Sequence, residues 1–597
     1  MEDALKQKPE VPLAINETIV SGLATLKRVV VLRKAEAICG ALLLLMAVNL
    51  CAAISRKSIT NDEIVHIPAG YYHLVAGEFQ LNNEHPPLVK MWAALPLLII
   101  QPDEPPAPKT EDENFMERTW GFHERFWQAN QARFQAVTFW PRVMMIPVTL
   151  ALGVLIFVFT RSLFGETAAV ISVALYTLEP TVLAHGRVVH TDVPSALSYL
   201  LFFFALYKYS QVSGRRGNRR ALLLGLACAL ALLTKFSMLV ILPVLAFYFI
   251  SQLYLERRDR GQRREILLHC GLITLIVLSL INAAYYFQHP TLEASDVRWV
   301  AMKSPALLGM VTTVVRIVSK VVPTYYLFGV YNIELHNYFG HATSLLGRYN
   351  DLGWWYYFPV AFALKTTIPF LLITIVALAW ATWRLLKREW RFLWILIPVG
   401  VYLAISLTSH INIGIRHLLP VFPFLFIAGG ALLGQVLQAR RMVGIAVLAV
   451  LFAWMGFEVL RNFPNYTPYM NQLAWSRPHW YYLSDSNVEW GDDVNALADY
   501  LKARGETKVS AALSAGWSTL GRYGIDYLDM VSLPPDKTPG TRYVAIGASF
   551  LNGSVIPGDE SVVGRRSFER TNLFARYRDR KPEAVFGGSI YLFREHE

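Results

Sequence analysis

The stretch VLRKAEAICGALLLLMAVNLCAAISRKSITNDEIVH, residues 31–66, sets the reading of the whole chain. Four cations (Lys27, Arg28, Arg33 and Lys34) lead into an apolar block at about 35–56, which ends abruptly in an acid-rich, histidine-bearing segment. A block of roughly 20 apolar residues is the length that crosses a bilayer, and flanking cations mark its cytoplasmic side. Further blocks of this kind follow at about 137–160, 166–186, 193–210, 219–234, 237–254, 265–287, 356–383, 392–409, 417–437 and 442–460. The tract 219–254 is divided in two because Thr234-Lys235-Phe236-Ser237 suggests a tight turn in its middle. The expected fold is a polytopic α-helical membrane protein of about eleven transmembrane helices.

Composition agrees with that fold. The chain has 597 residues, 54% hydrophobic and 17% charged, too apolar for an ordinary soluble enzyme and unlike a disordered or collagen-like chain. Its net charge of +12 is not a nucleic-acid footprint, because the arginines gather in short segments between apolar blocks. Arg161, Lys208 to Arg220, Arg257 to Arg264, Arg384 to Arg391 and Arg440–Arg441 all fall on one side when alternate loops are compared. The alternation places the amino terminus inside and the carboxyl terminus outside. The first block is read as a span and not a signal peptide, since its polar lead is long and no small-residue cleavage site follows. Cys39, Cys51, Cys228 and Cys270 lie in or beside apolar blocks without CxxC spacing, so they are read as small hydrophobes.

The expected organisation is a cytoplasmic segment 1–34, a transmembrane domain 35–460 with external loops 57–136 and 288–355, and an extracytoplasmic α/β domain 461–597. The first loop carries a Pro-rich stretch from Pro102 to Pro108, and the second ends in Trp354-Trp355-Tyr356-Tyr357, which suits an interfacial aromatic belt. In the tail a helix is expected at Asp492 to Ala503, with strands at Lys508 to Leu513, Tyr543 to Gly547 and Ser589 to Phe593. There is no internal repeat. Asn465-Tyr466-Thr467 and Asn552-Gly553-Ser554 match glycosylation sequons, a match that chance also supplies.

Ionisable residues at membrane depth are expensive and mark function. Here they fall at the external ends of spans. Asp62, Glu63 and His66 follow the first span, and Glu84, His85 and Lys90 follow in the same loop. Glu179, His185, Arg187, His190 and Asp192 lie around the third and fourth spans, Lys235 in the next external turn and Lys365 inside the eighth. His410, Asn412, Arg416 and His417 fill the turn before the tenth. Several of these have a plainer reading. Asp62 and Glu63 could be a solvated helix end, Asp192 a helix-start acid, and Arg416 a snorkelling cation. Lys365 is harder to explain as structure, because it needs a buried partner.

Carboxylates beside cations at lipid depth suit transfer from a lipid-phosphate donor. The leaving phosphate needs positive charge, and the acceptor hydroxyl needs a base. Asp62, Glu63 and Glu84 are therefore the catalytic candidates, and Lys235, Lys365, Arg416 and His417 the donor phosphate ligands. His66, His85, Lys90, His185 and Asp192 are the positioning candidates. Glu84 and His85 could hold a divalent metal ion, the one cofactor considered. A transporter or flippase of lipid-linked sugars is the alternative, though it would want midplane sites and a repeat. A surface receptor would leave the loop acids without work.

These residues resemble the protein O-mannosyltransferase family and its bacterial relatives, the aminoarabinose-transferase-like enzymes (glycosyltransferase family 39, GT-C fold). The resemblance rests on Asn61-Asp62-Glu63 with His66, Glu84-His85-Pro86-Pro87-Leu88 with Lys90, and Leu183-Ala184-His185-Gly186 with Thr191-Asp192. It extends through Gly353-Trp354-Trp355-Tyr356-Tyr357, Lys365-Thr366 and Asn412-Ile413-Gly414-Ile415-Arg416-His417 to Ser484-Asp485-Ser486-Asn487-Val488-Glu489-Trp490-Gly491. It implies a polyprenyl-phosphate sugar donor, an external site in a bacterial inner (plasma) membrane, and inversion at the anomeric carbon. By position it makes Asp62 the catalytic acid of the first loop, Glu84 a second acid and Asp192 a third. The insert 288–355 does not resemble the MIR domain of eukaryotic members, and the tail matches no known acceptor site. The acceptor is left as protein, lipid or glycan, with no nucleic-acid partner.

Overall fold

The computed structural model describes residues 13–106, 117–211, 215–531, 540–555 and 571–595. Residues 1–12 of the expected cytoplasmic segment and the end of the Pro-rich stretch, Pro108, lie outside the described residues. The chain opens with helix α1 (Leu13–Ile54), followed by α2 (Asn61–Val75) and α3 (Leu88–Ala94) in the first loop. The bundle continues with α4 (Met145–Phe164), α5 (Glu166–Thr177), α6 (Pro180–His185), α7 (Asp192–Ser210), α8 (Arg215–Thr234), α9 (Ile241–Leu255) and α10 (Arg260–Ala284). After the insert, which contains α11 (Thr324–Phe339), come α12 (Tyr357–Lys365), α13 (Ile368–Leu386), α14 (Leu393–Thr408), α15 (Phe422–Ala439) and α16 (Arg441–Asn462).

Among the described residues, nine helices are long and apolar enough to cross a membrane. The other two expected spans, 166–186 and 193–210, correspond to the α5–α6 pair and to α7. The pair is split because Pro180, at the first turn of α6, cannot continue the hydrogen-bonding of α5. The expected span 356–383 is split as well, into α12 and α13, with Thr367 capping α13 ahead of Pro369. The two breaks meet. Thr181 Oγ1 donates to the carbonyl of Lys365 at 2.9 Å, and Thr367 Oγ1 donates to Glu179 Oε2 at 3.2 Å. Each interruption thus satisfies polar groups of the other, the condition for irregular backbone inside a bundle.

The arginine-bearing loops share the far end of the bundle. Arg161 pairs with Glu36 at 3.0 Å, Lys208 reaches Ser162, and Arg391 reaches the carbonyl of Leu163. The near end is closed by the insert and the C-terminal region. In the insert, β1 (Thr343–Leu345) and β2 (Arg348–Asn350) form an antiparallel hairpin. In the C-terminal region, α17 (Val494–Lys502) precedes β3 (Lys508–Ala512), β4 (Asp526–Asp529), β5 (Tyr543–Gly547), β6 (Ala584–Phe586) and β7 (Ile590–Arg594). The five strands make one mixed sheet, ordered β4-β3-β5-β7-β6, parallel across β4, β3 and β5 and antiparallel beyond. The helix and the three expected strands are present, and β4 and β6 add the two edges.

The sheet region is fastened to the bundle by buried polar pairs. Arg187 meets Asp492 at 2.6 Å with neither side chain exposed, Thr467 Oγ1 donates to the same carboxylate at 2.9 Å, and Lys57 pairs with Asp493. Asn487 accepts from the backbone N–H of Ile415 at 2.9 Å and donates to the Tyr357 hydroxyl at 2.7 Å. Removing one partner of such a buried pair strands a charge, so the motif Ser484 to Asp493 acts as a keyed dock.

Candidate functional site

Between the loop end of the bundle and the sheet lies one cavity of about 770 Å³. Helix α2 delivers Asp62 to it from its first turn. Arg416 Nη1 donates to Asp62 Oδ2 at 2.7 Å, His190 Nε2 lies 3.0 Å from the same oxygen, and the Trp490 indole N–H donates to Oδ1 at 3.2 Å. The Arg416 guanidinium also lies over the Trp490 ring, 4.4 Å from its centroid, a cation–π contact. Burial pushes the Asp62 carboxyl up, but Arg416 and His190 outweigh it and hold the group well below the usual carboxylate range. Glu84 enters the same cavity, where burial and the Asp62 charge raise its carboxyl. Asp485 reaches in from the C-terminal side, raised to about 6 by burial against the opposing pull of Arg416.

Of the catalytic, donor-binding and positioning candidates, Asp62, His66, Glu84, His85, Arg416 and His417 line this cavity. The others stand behind the wall. Asp192 lies 2.7 Å from Lys235 Nζ, 2.6 Å from His190 Nδ1 and 3.8 Å from Arg416 Nη1, so it gathers cations around the site. Lys90 donates to the carbonyl and side-chain oxygens of Asn82 and to the carbonyl of His85, holding the loop that carries Glu84. His185 packs edge-on against Trp490.

Two placements depart from the expected roles. Glu63 faces away from the cavity: it completes a capping box with Thr60, accepts from Arg142 Nε at 3.0 Å and accepts the Val189 N–H at 2.8 Å. Each of these contacts is buried and internal, and Glu63 is not among the residues that line the cavity. Lys365 is a similar case. Its ammonium donates to the carbonyls of Thr467 at 2.6 Å and Asn487 at 2.5 Å, which supplies the buried partner it needed without a phosphate.

The residues that sequence reasoning left out of the site are His190, Trp490 and Asp485. His190 shared the cluster with Asp192 in the sequence, and only the fold shows both ring nitrogens engaged with carboxylates. Trp490 and Asp485 belong to a motif far along the chain whose only signal was its resemblance to other members. For the metal expectation, His66, His85 and His190 each bring a ring nitrogen within 4.8 Å of the others, while Glu84 is not in that set. His66 Nδ1 is turned to the carbonyl of Val189 at 3.0 Å, leaving Nε2 free to accept. Arg416 Nη1, 2.9 Å from His190 Nε2, already places a cation against this cluster, so the donor set fits a metal ion poorly while Arg416 stays there.

Residues 132–282, roughly a quarter of the chain, match the family described as dolichyl-phosphate-mannose-protein mannosyltransferase. No curated protein matches the chain. Among solved structures, the chain is similar to the Saccharomyces cerevisiae protein O-mannosyltransferase Pmt1–Pmt2 complex bound to its sugar donor, at 13% identity and a TM-score of 0.31, covering 42% of this chain and 33% of that one. It thus spans about a third of the yeast chain's length. ArnT from Cupriavidus metallidurans in the apo state is similar at 11% identity and a TM-score of 0.46, over 92% of this chain and 97% of that one. The Archaeoglobus fulgidus oligosaccharyltransferase in complex with Zn and sulfate is similar at 11% identity and a TM-score of 0.45, over 86% and 68%. The segment that matches the mannosyltransferase family, residues 132–282, runs through helices α4 to α9 and most of α10.

Proposed function

We propose that the chain is a membrane glycosyltransferase that moves a sugar from a polyprenyl-phosphate donor to an acceptor hydroxyl on the extracytoplasmic side, with inversion. The observation that carries this reading is the Asp62 carboxylate, held between Arg416, His190 and Trp490 at the wall of a cavity that opens between bundle and sheet. Asp62 takes the proton as the acceptor oxygen attacks the anomeric carbon. The bond from that carbon to the phosphate oxygen breaks, and its electron pair leaves with the lipid phosphate beside Arg416 and His417.

Arg416 is shared between these tasks. In the free protein it depresses the basicity of Asp62. A donor phosphate that draws Arg416 to itself releases the carboxylate and restores its basicity, so the base becomes effective only when a donor is bound. Asp192 and Lys235 keep the surrounding charge balanced, and Glu63 and Lys365 hold the backbone that carries Asp62 and the Trp490 motif. The test is the anomeric configuration of the product formed in lipid nanodiscs from a panel of polyprenyl-phosphate hexoses and pentoses. Inversion is expected from one-step displacement; retention overturns the single-base reading.

A further inference from the structure

The cavity has two chemically different walls. At the bundle end stand Arg416 and His417, with Lys235 behind Asp192. The opposite wall belongs to the C-terminal region: Ser514 after β3, Phe550 and Ser554 after β5, and the carboxyls of Asp485 and Glu489 from the docking motif. Strands β3 and β5 are parallel neighbours, and the chain runs from β3 to β4 on one side before returning to β5 on the other. The crevice outside the carboxyl ends of such a pair is where open α/β sheets take their ligands.

Backbone N–H groups at such a crevice commonly cradle a phosphate. Here that cradle holds an acid of the protein itself. Glu489 accepts the Ser514 N–H at 2.7 Å and the Ser549 N–H at 3.2 Å. Gly547 is what lets it sit there, since a methyl group at that position would lie 2.1 Å from both carboxyl oxygens. Beside it, Asp485 has a left-handed backbone with φ of 55°, uncommon for a residue other than glycine. Its carboxylate accepts the Ser486 N–H at 2.6 Å and stands 3.8 Å from His341 Nε2. On this wall the Asp485 carboxylate therefore opposes anions, whereas Arg416 across the cavity attracts them.

We propose that the crevice at the ends of β3 and β5 is the acceptor subsite, and that its occupant is a hydroxyl-bearing neutral glycan. The inference rests on the transferase reading and names its acceptor class. Acids and serines take hydroxyl hydrogens, and the Phe550 ring in the same cavity suits the C–H face of a sugar. A peptide would be captured most readily along an unpaired strand edge. The two sheet edges, β4 and β6, contribute no residue to the wall among the described residues. A phosphate-bearing acceptor would meet the Asp485 carboxylate. In the reaction the glycan O–H bond breaks with its proton passing to Asp62, the new bond forms from that oxygen to the anomeric carbon, and the lipid phosphate departs with the electron pair of the broken bond.

The experiment uses the full chain in nanodiscs with whichever polyprenyl-phosphate sugar it consumes. It compares neutral alkyl hexosides and pentosides, the same glycosides carrying a phosphate, and a Ser/Thr peptide as acceptors. The wild type is expected to prefer the neutral glycoside over its phosphorylated form by roughly tenfold or more in kcat/KM, the scale of like-charge discrimination. Asp485→Asn should bring that ratio towards one. The ratio is internal to each preparation, so a poorly folded fraction does not alter it. Preference for the peptide, equal use of the phosphorylated glycoside, an unchanged ratio in the Asp485→Asn variant, or transfer to no neutral glycoside while donor is consumed overturns the acceptor assignment and leaves the transferase reading standing. A wild type that consumes no donor removes both.

Discussion

Replacing Glu63 with alanine separates holding from chemistry at two adjacent acids. The Glu63 side chain is 0% exposed and that of Arg142 2%. The carboxylate accepts from Arg142 Nε at 3.0 Å, from the Val189 N–H at 2.8 Å and from the Thr60 N–H at 2.9 Å. Arg142 keeps the carbonyls of Lys57 and Ser58 but loses its only carboxylate among the described contacts. Stranding one member of a buried pair costs about 3–5 kcal/mol, and losing the capping box adds about 1 kcal/mol. We therefore expect Glu63→Ala to lose roughly 4 to 6 kcal/mol of stability by these terms. Asp62→Asn, at a partly exposed cavity residue, should melt close to the wild type. The assay is thermal unfolding in nanodiscs by tryptophan fluorescence, run beside single-turnover donor cleavage on the folded fraction. Glu63→Ala should melt several degrees lower and still cleave donor where folded. A Glu63→Ala protein that melts like the wild type and cleaves nothing would refute this division of labour and return Glu63 to the chemistry.

Other perturbations follow from the same geometry. Arg416→Lys keeps a charge but loses the fork that serves Asp62 and a phosphate together, and should lower kcat/KM about 100- to 1,000-fold in a donor-cleavage assay. Gly547→Ala forces the pinned Glu489 carboxyl to move, and should cost about 1–3 kcal/mol in thermal unfolding. Burial raises Glu489 to about 8, above its ordinary value of 4.5. Its contribution is therefore fully present below pH 4.5 and is lost as pH rises through about 8, so stability should decline across that window. Glu489→Gln, which does not titrate, should flatten that slope whatever its absolute stability.

Much of the architecture was legible because a bilayer imposes a length on each apolar block and a charge rule on each loop. The breaks at Glu179–Pro180 and Thr366–Thr367 were harder to see, since each reads as part of one long apolar run until the partner break is known. The strands β3, β5 and β7 announced themselves by apolar runs. Strand β4, Asp526–Asp529, places aspartates at both ends of a largely exposed edge, and β6 has three residues; neither leaves a period to detect. Asp62 and Glu63 look alike in the sequence, yet they point to different neighbours on the first turn of α2. The signal that divides them was present: Thr60 with an acid three positions on is a capping box, and it claims Glu63. Trp490 and Asp485 lie more than 420 residues from Asp62 in the chain, a separation that no local pattern bridges.

In the proposed reaction Asp62 is the base of a sugar transfer. Purified protein in nanodiscs, given a radiolabelled panel of polyprenyl-phosphate sugars, tests it directly when wild type is compared with Asp62→Asn. The wild type is expected to cleave at least one donor, and the variant, folded and still binding it, to cleave it at least about 100-fold more slowly, the scale of a lost general base. Equal cleavage by both proteins, or movement of donor across the bilayer with none cleaved by either, would contradict it.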